Sequence, residues 1–261
     1  MVSVREGRSR LPGSFTLWYK VNVAMHAPVQ DALPVHVAVI MDGNRRWARS
    51  RGLPAAEGYR RGVGALRATV RAALAAGVKV LTVYGFSTEN WARDPSEVRA
   101  LMQLCAIFAR TELAALRRQG VAVQVVGDIA EFPRPARCAI ERLVRATEHN
   151  RRLTLNLALN YSGRAEIVRA VRAIADDVES GSLRARDVDE SALRRRFYAP
   201  RQPDPDLLIR TGGDFRVSNF LLFQLAYTEL LTLPVMWPEF SENDFASALT
   251  QYAERCRRFG S

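Results

Sequence analysis

The sequence predicts an α/β fold, a single domain in which a central, mostly parallel β-sheet is flanked by helices. Short runs of β-branched and apolar residues alternate with longer amphipathic segments of helical period, the pattern of a parallel sheet covered by helices. Polar residues follow each predicted strand. No repeat, linker or change of composition divides residues 31–261, so we expect one domain there, preceded by a variable N-terminal arm over 1–30.

Apolar, β-branched composition predicts five strands, at 37–41, 78–86, 121–126, 153–159 and 207–209. Helical periodicity predicts six helices, at 55–76, 95–119, 133–150, 164–180, 190–197 and 242–257. Several helix ends carry residues typical of those positions. Asp94 before Pro95 is typical of a helix start, Gly77 and Gly120 are typical of helix ends, and Ser241 precedes acidic residues of a first turn.

The charge of the chain is strongly basic, with a formal net charge of +11. Such a charge raises nucleic acid or an anionic membrane as partners. All but two of the 38 basic residues, Lys20 and Lys79, are arginines, and they are scattered rather than clustered in one tail. Genome base composition can produce this skew, and scattered charge favours solvated helix faces. We therefore expect no nucleic-acid binding.

Cysteine and histidine content argues against several classes of site. The three cysteines are far apart and unpaired in sequence, and the three histidines are well separated, so we expect no disulfide framework, zinc site or histidine metal cluster. A reducing, cytoplasmic setting fits this composition. The most apolar segment, 220–237, contains Gln224, Glu229 and Pro234, and the first 25 residues lack the apolar core of a secretory signal. The cysteines are Cys105, Cys138 and Cys256, and the histidines are His26, His36 and His149.

A polar cluster follows each predicted strand. The carboxyl ends of parallel strands lie on one edge of a sheet, where the ligands of open α/β folds bind. We therefore expect one site at this edge. The clusters lie at 42–46, 87–90, 127–128, 160–164 and 210–214.

The first cluster, which begins at Asp42, has the composition of an anion site. Gly43 and Asn44 would expose backbone N–H groups, and Arg46 would add a charge-assisted donor. A carboxylate beside several arginines is expected where a divalent cation links it to a diphosphate, so Asp42 could bind such a cation. From position alone, a capping aspartate before a tight turn explains Asp42 equally well. Neither a P-loop nor a dinucleotide-binding motif is present.

The last cluster suggests a second anion pocket. Arg210, Arg216 and Ser218 surround a double-glycine turn, which we expect to lead into an apolar helix. Two surface arginines beside a loop are the plainer alternative. Further along, Glu229 lies in an apolar run, where a carboxylate needs an arginine or a metal as its partner.

The predicted helix 95–119 carries an apolar stripe. Two basic pockets, one acid and a large apolar interior together suggest a substrate that is both phosphorylated and apolar, and the stripe could line a tunnel for it. Taken alone, such a stripe is more often part of the core. Its members are Leu101, Leu104, Cys105, Phe108, Leu113 and Leu116.

Five ordered groups of motifs extend over most of the chain: HVAVIMDGNRRWA at 36–48, YGFSTENWAR at 84–93, NYSGR at 160–164, DLLIRTGGDFRVSNFLL at 206–222, and a last group of AYTEL, WP and RFG at 226–230, 237–238 and 258–260. Taken in order, these motifs resemble the cis-prenyltransferase, or undecaprenyl diphosphate synthase, family. The resemblance spans about residues 34–260, and five ordered groups over that length make it specific.

The resemblance implies a homodimeric, Mg²⁺-dependent enzyme that joins isopentenyl diphosphate to an allylic diphosphate primer. It implies catalytic roles for Asp42 and Asn90, the latter in assisting proton removal, which a diphosphate oxygen could perform instead. Asp42 and Glu229 would bind the metal. Substrate-binding roles would fall to Gly43, Asn44, Arg45, Arg46, Trp47, Tyr59, Ser87, Thr88, Glu89, Trp91, Arg93, Arg210, Arg216, Ser218, Arg258 and Gly260.

These roles divide between two diphosphates. Gly43, Asn44 and Arg46 would bind the primer diphosphate. Isopentenyl diphosphate would be bound by Arg210, Arg216 and Ser218. Arg258 and Gly260 would reach the site across the dimer.

Three positions depart from the family pattern. Tyr59 stands where many members have histidine, Ala55 where a basic residue often helps to hold the primer diphosphate, and Ser162 where glycine is usual. We expect Tyr59 to preserve activity, Ala55 to weaken or reshape the binding of the primer diphosphate, and Ser162 to have a small effect.

The resemblance also implies a product length. Gly85 occupies a tunnel-wall position where a bulky side chain is associated with short products, so its small size favours an open tunnel. We expect a medium-chain Z-polyprenyl diphosphate, of undecaprenyl or decaprenyl type. Phe108 or Ile107 could close the tunnel earlier, which leaves a short-chain synthase as the alternative.

Two hypotheses from other classes have less support in the sequence. A non-catalytic partner subunit of the same fold would lack the Asp-Gly-Asn motif, which is present here at 42–44. A binder of nucleic acid would need an aromatic stacking platform on a basic stripe, which the sequence lacks. Peripheral membrane contact is expected only through the lipid product.

Overall fold

The computed structural model describes residues 33–255. The expected N-terminal arm over 1–30 lies outside the described residues, as do Cys256, Arg258 and Gly260. Within 33–255, six strands form one sheet in the spatial order 121–126, 153–161, 80–87, 36–40, 207–210 and 229–232, and every adjacent pair is parallel. The predicted α/β fold with a parallel sheet flanked by helices is therefore confirmed.

The strands are β1 (His36–Ile40), β2 (Val80–Ser87), β3 (Val121–Val126), β4 (Leu153–Tyr161), β5 (Leu207–Arg210) and β6 (Glu229–Thr232). The helices are α1 (Asn44–Arg49), α2 (Ala55–Ala76), α3 (Pro95–Gln119), α4 (Arg134–Thr147), α5 (Gly163–Glu179), α6 (Glu190–Arg194) and α7 (Glu242–Ala253). Short 3₁₀ turns occupy Thr88–Ala92, Ala185–Asp187 and Trp237–Glu239.

Alternation along the strands divides the core between the two faces of the sheet. Val37 and Val39 of β1 belong to the larger apolar cluster, which includes buried residues of α2, α3, α4 and α7. Ala38 and Ile40 point the other way, into a smaller cluster that contains Phe220. Since successive side chains of a strand face opposite sides, both faces of a covered parallel sheet must be apolar.

The helix ends follow the predicted chemistry. Asp94 accepts a hydrogen bond from the Ser96 N–H at 2.8 Å as the N-cap of α3. Gly77 and Gly120 both end their helices in the left-handed conformation, with φ of 80° and 77°. Ser241 and Asp244 form a reciprocal capping box at the start of α7.

One prediction about the segment after the double-glycine turn is wrong. In place of an apolar helix, the chain forms turns and then the edge strand β6, which the sequence did not predict. Ser218, Asn219 and Leu221 adopt positive φ values of 48°, 62° and 44°. Residues in the left-handed region cannot continue a right-handed helix, so the helical period of this segment is not realised.

Among the described helices, none combines the length and the apolar composition needed to cross a bilayer.

Candidate active site

The site lies at the carboxyl edge of the sheet, beyond β1, β2, β4 and β5. Asp42 follows β1 and is held by its own neighbour, since the Gly43 N–H donates to Asp42 Oδ1 at 2.7 Å. Gly43, with φ of 103°, is the N-cap of α1, and no side chain caps this helix. Asp42 is therefore not explained as a helix cap, and the Gly43 N–H is already engaged within the protein.

Asp42 lies between two guanidinium groups. Arg210 Nη2 donates to Asp42 Oδ2 at 2.8 Å, and Arg46 Nη2 lies 3.7 Å from Oδ1. Partial burial raises the pKa of the Asp42 carboxyl, but the hydrogen bonds from Arg210 and Gly43 and the two positive charges outweigh burial and lower it below its ordinary value. Asp42 is therefore ionised at neutral pH. Its side chain is 31% exposed.

Arg210 connects Asp42 with the predicted second anion pocket. Its side chain, 6% exposed, also donates to Ser218 Oγ at 2.8 Å and to the backbone carbonyl of Arg216. Arg210 Nε is buried and has no partner within residues 33–255. A buried guanidinium with a free donor is suited to an anion.

Asp214, which sequence reasoning did not assign, adds a second carboxylate to this cluster. Its Oδ2 lies 2.5 Å from Arg216, 3.5 Å from Arg210 and 3.7 Å from Arg46. Asp42 and Asp214 thus face the same two guanidinium groups. The sequence signal that could have identified Asp214 is its position directly after the double glycine of the fifth polar cluster.

The cluster after β2 is held in a compact turn. Asn90 Oδ1 accepts the Ser87 N–H at 3.1 Å, which fixes the amide of Asn90 at the edge of the sheet. Glu89 accepts from Asn219 at 2.7 Å, and the adjacent Thr88 donates to Glu89 at 3.3 Å. The contact with Asn219 joins the second polar cluster to the loop that carries Ser218.

The cluster after β4 is joined to the same turn by Trp91, whose indole N–H donates to Asn160 Oδ1 at 2.8 Å. Ser162 Oγ accepts from Asn219 Nδ2 at 2.8 Å, so the hydroxyl that replaces the usual glycine supports the loop carrying Ser218. The cluster after β3 contributes only backbone, through the Asp128 carbonyl that accepts from Asn160.

Tyr59 joins a network that sequence reasoning did not foresee. Its hydroxyl donates to Glu97 at 2.6 Å and accepts from Arg93 at 2.6 Å, while Arg93 also pairs directly with Glu97 at 2.9 Å. Arg45 lies 3.6 Å from the other Glu97 oxygen. Burial and the Glu97 hydrogen bond raise the pKa of Tyr59, so it acts as a neutral bridge. Glu97 therefore orients two arginines at the rim.

Two cavities meet at this edge. The first, about 990 Å³, runs from a rim with five arginines, Arg45, Arg46, Arg49, Arg93 and Arg216, into an apolar interior between the sheet and α2, α3 and α4. The second, about 680 Å³, contains Arg164, Arg210 and Ser218. Both are lined by Met41, Asp42, Tyr84, Asn90 and Arg93.

The apolar stripe of α3 is only partly in the tunnel. Leu101, Leu104, Cys105 and Phe108 line the first cavity, as the tunnel interpretation predicts. Leu113 instead lines an outer groove between α3 and α4, and Leu116 is buried without lining any of the described cavities. Ile107 is 52% exposed and cannot close the tunnel, so the expectation for Ile107 is wrong, whereas that for Phe108 stays a prediction.

Several expected site residues lie elsewhere. Trp47 lines neither of the two cavities; its ring lies under the Arg51 guanidinium, 4.6 Å away. Arg216 lines the first cavity rather than the second. Ala55 lines the first cavity, and so does Arg49, a positive charge that the sequence did not suggest.

Glu229 is placed away from Asp42 within this chain. It begins edge strand β6 opposite Leu207, whereas the site lies beyond Arg210, which pairs with Thr232. Three residues of strand separate these levels by about 10 Å. Glu229 pairs with Arg255 at 2.8 Å, so its expected basic partner is present.

Asp42 and Asp214 are the carboxylates of the described chain best placed for a metal. Within residues 33–255, no cluster of three or more aspartate, glutamate, histidine or cysteine residues could form a complete cage. Mg²⁺ is commonly held by one or two carboxylates together with substrate phosphates, so this donor set fits Mg²⁺ bound with a diphosphate.

Comparison with known proteins identifies the family. The sequence profile described as "Putative undecaprenyl diphosphate synthase" matches residues 40–260. The isoprenyl transferase of Agrobacterium fabrum is 47% identical over 237 residues, covering 91% of this chain and 96% of that protein. The ditrans,polycis-undecaprenyl-diphosphate synthase ((2E,6E)-farnesyl-diphosphate specific) of Xanthomonas axonopodis pv. citri is 46% identical over 237 residues, covering 91% and 92%.

Solved structures agree. Lavandulyl diphosphate synthase from Lavandula x intermedia, in complex with dimethylallyl diphosphate, superposes with a TM-score of 0.86 at 36% identity, covering 88% of this chain and all of that one. A probable undecaprenyl diphosphate synthase from Campylobacter jejuni gives 0.73 at 28% identity, covering 87% and 99%. The chain therefore belongs to the undecaprenyl diphosphate synthase family and is a cis-prenyltransferase.

Proposed function

We propose that this enzyme condenses isopentenyl diphosphate with an allylic diphosphate primer and repeats the step to make a medium-chain Z-polyprenyl diphosphate, of undecaprenyl or decaprenyl type. The observation that carries the proposal is the pair of adjoining cavities with Asp42 and Asn90 in their shared wall. Two diphosphates that must react with each other need two anion pockets that open onto one point.

The first cavity suits the allylic primer. Arg45, Arg46 and Arg93 at its rim would bind the diphosphate with Asn44, and Gly43 would join them once its N–H exchanges Asp42 for a phosphate oxygen. The apolar interior would take the prenyl tail. Tyr59 and Glu97 would hold Arg45 and Arg93 in position. A charged head and an apolar tail thus each meet a surface of matching chemistry.

The second cavity suits isopentenyl diphosphate. Arg210 and Ser218 would bind its diphosphate, and Arg164 adds a third donor in the same cavity. Arg216 would bind from the side of the first cavity, beside Asp214. Ser87, Thr88, Glu89 and Trp91 would shape the turn that carries Asn90 between the two substrates.

In the reaction, the bond between the allylic carbon and its diphosphate oxygen breaks, the double bond of isopentenyl diphosphate attacks that carbon, and a proton leaves the new cation. Arginines at the rim would stabilise the departing diphosphate, and the apolar interior would exclude water from the cationic centre. Asn90 would orient the group that loses its proton. A neutral amide is a weak base, so a diphosphate oxygen is the better acceptor.

Mg²⁺ would be held by Asp42 together with a substrate diphosphate, and when bound it would neutralise the charge that develops on the leaving diphosphate. Asp214 faces the same arginines and is the further carboxylate within this chain. Because Glu229 lies at the other end of the sheet, it would serve a metal at this site only from a second copy of the chain.

We also propose a homodimer in the cytoplasm, with Arg258 and Gly260 of one copy completing the site of the other, and peripheral membrane contact through the lipid product. Arg255, paired with Glu229, immediately precedes that terminal segment. Sedimentation at micromolar concentration should give twice the mass of the chain. A monomer that is fully active would remove the dimer from the proposal.

Direct assay tests the function. Purified protein with Mg²⁺, radiolabelled isopentenyl diphosphate and allylic primers of increasing length should give butanol-extractable polyprenyl diphosphates, and a chelator should stop their formation. Chain length read by chromatography would identify the product class. A folded preparation that yields no extractable product with any primer would refute the proposed reaction.

A further inference from the structure

A separate groove lies between α3 and α4 on the outer side of these two helices. Its volume is about 620 Å³. Ala109 and Ala139 form its buried floor, and Leu113, Pro135 and Cys138 line its more exposed margins. Apolar surface that stays open to solvent commonly marks a place where a partner or a membrane binds. The groove is therefore a candidate binding surface away from Asp42.

Three exposed arginines surround the groove, one from α3 and two from α4. No carboxylate of residues 33–255 lines it. Glu112, two residues after the arginine of α3, pairs with Arg67 at 2.6 Å. Glu141, directly before the second arginine of α4, lies 3.9 Å from Arg137. Three positive charges thus meet at one apolar surface, although they are far apart in sequence. They belong to Arg110, Arg134 and Arg142.

The exposed faces of both helices continue this composition. Ile107 and Arg118 share a face of α3 with Arg110, at spacings of three and eight residues. Ile107 is 52% exposed. On α4, Arg145 follows Arg142 by three residues and is also exposed. Arginines with apolar stems around exposed apolar side chains are typical of surfaces that lie on an anionic bilayer.

The groove adjoins the deep part of the tunnel. Ala109 lines both the groove and the first cavity. Ile140 lines the first cavity, and its neighbour Ala139 lines the groove. The proposed product is a long apolar chain, for which a bilayer is a far better solvent than water. Contact of this face with a bilayer would bring the apolar interior of the tunnel close to that solvent.

We propose that the groove between α3 and α4, with its three arginines, is a docking surface for a bilayer that contains anionic phospholipids. Arg110, Arg134 and Arg142 would bind lipid phosphates, and Leu113 and Cys138 would face the boundary with the acyl chains. The enzyme would then bind a membrane through its own surface, with no lipid product bound. Docking itself needs no catalysis, whereas delivery of a product to the bilayer rests on the proposed function.

Vesicle sedimentation tests the charges. Substrate-free enzyme should sediment with vesicles of phosphatidylcholine and phosphatidylglycerol, much less with phosphatidylcholine alone, and less at high salt. The triple variant Arg110→Gln, Arg134→Gln and Arg142→Gln should lower the partition coefficient by roughly 100-fold, because each basic residue at an anionic surface contributes about fivefold. Its circular dichroism spectrum should be unchanged, since all three side chains are exposed.

A second triple variant separates this surface from the overall charge of +11. Arg61→Gln, Arg172→Gln and Arg186→Gln remove the same charge from exposed residues of α2, α5 and the 3₁₀ turn at 185–187, outside the groove. This control should keep most of the wild-type binding to anionic vesicles. An equal loss in both triple variants would assign the attraction to net charge and overturn the proposed surface.

Cys138 allows a direct measurement of contact, because its thiol is exposed in the groove. A nitrobenzoxadiazole label on Cys138, in a chain with Cys105→Ala and Cys256→Ser, should become brighter and blue-shifted when anionic vesicles are added. In the control, Cys138→Ser is added and the label is moved to Ala175→Cys, on an exposed position of α5. That label should not respond. Vesicle binding with no change at Cys138, or with equal changes at both positions, would overturn the proposal.

These outcomes are distinct from those of the proposed function. Sedimentation and fluorescence are measured without substrate, so an enzyme that makes no product could still dock and would refute only the reaction. An active enzyme that fails to bind anionic vesicles would refute only the docking surface. In a vesicle-free assay the triple variant of the groove should keep wild-type kcat, because none of its three residues lines either of the two substrate cavities.

Discussion

Asp42 derives its chemistry from two arginines rather than from a helix. With Arg210 at 2.8 Å and Arg46 at 3.7 Å, its carboxylate is both ionised and oriented before any substrate binds. The same arginines that would bind diphosphate therefore keep the Asp42 carboxylate ionised, the form that can bind a cation. Binding of substrate must exchange some of these internal ion pairs for new ones.

Substitution of Asp42 tests this central role. Asp42→Asn keeps the shape but loses the charge, and we expect kcat to fall by roughly 100-fold or more, with the circular dichroism spectrum unchanged. Asp128→Asn is the control, because Asp128 lies at the same edge but lines neither of the two cavities. Near-normal turnover of Asp42→Asn would remove Asp42 from catalysis.

The network around Glu97 predicts a graded response. Glu97→Gln removes the negative charge that holds Arg93 and Arg45, and should raise the KM for primer more than that for isopentenyl diphosphate. Tyr59→Phe leaves the direct pair between Arg93 and Glu97, so its effect should be smaller, about 1 kcal/mol in kcat/KM. Glu112→Gln, an equally covered acid of α3 paired with Arg67, should leave both KM values unchanged. Equal KM changes for both substrates would contradict this assignment.

At the scale of elements, α2 and the turn at Trp237 pack against the loop that carries Asp42 and against α1. Trp237 donates its indole N–H to the Gly62 carbonyl at 2.9 Å, and its backbone N–H donates to the Asp42 carbonyl at 2.9 Å. The absence of a side chain at Gly62 lets Asn44 and Trp237 approach the helix closely. The loop that carries Asp42 is thus fixed by packing against α2 and by the turn at Trp237.

Two glycines of α2 give a matched test. A Cβ at Gly62 would lie 2.5 Å from Asn44 Oδ1 and 2.8 Å from Trp237 Cδ1, whereas none of the described atoms lies within 4 Å of a Cβ at Gly64. We expect Gly62→Ala to destabilise the protein by about 1–3 kcal/mol and to lower turnover. Gly64→Ala should stabilise it by about 0.5–1 kcal/mol. Urea unfolding of both variants decides the matter, and equal stability would contradict the close packing at Gly62.

At the scale of the whole molecule, the free energy of unfolding depends on pH through His36, the first residue of β1. His36 is buried, with Nε2 2.7 Å from Thr82 Oγ1 and Nδ1 2.8 Å from the Pro203 carbonyl. Burial lowers the pKa of His36 from 6.5 to about 4, although the Pro203 hydrogen bond and nearby Asp206 and Asp204 partly offset it. The folded protein therefore holds this imidazole neutral in a place where a charged one is disfavoured.

This lowered pKa predicts acid sensitivity. Between about pH 6.5 and pH 4 the unfolded chain binds the proton that the folded chain excludes, so stability falls as the pH is lowered through this window, by up to about 3 kcal/mol. The free energy of urea unfolding at several pH values measures it. His149→Gln, which alters an exposed histidine, should keep the wild-type pH dependence, and His36→Gln should weaken it. The same slope in all three proteins would assign it to other groups.

Sequence alone determined the parallel α/β fold, because strand and helix periods differ and buried parallel strands need apolar side chains on both faces. It also placed the polar clusters at one edge, since every parallel strand ends there. The family pattern added the prenyltransferase class. The limits of α2 and α3 agreed because Asp94, Gly77 and Gly120 act through local hydrogen bonds, whereas the helices predicted at 133–150, 190–197 and 242–257 end earlier in the structure.

Only the tertiary structure decided which of these residues meet. Asp214 and Glu97 became site residues through contacts with distant arginines, Glu229 was placed at the opposite end of the sheet, and the segment after Ser218 became turns and an edge strand. The volume facing Gly85 belongs to Leu159, a residue remote in sequence. Such contacts depend on strand order and side-chain packing between segments, which no local pattern of residues encodes.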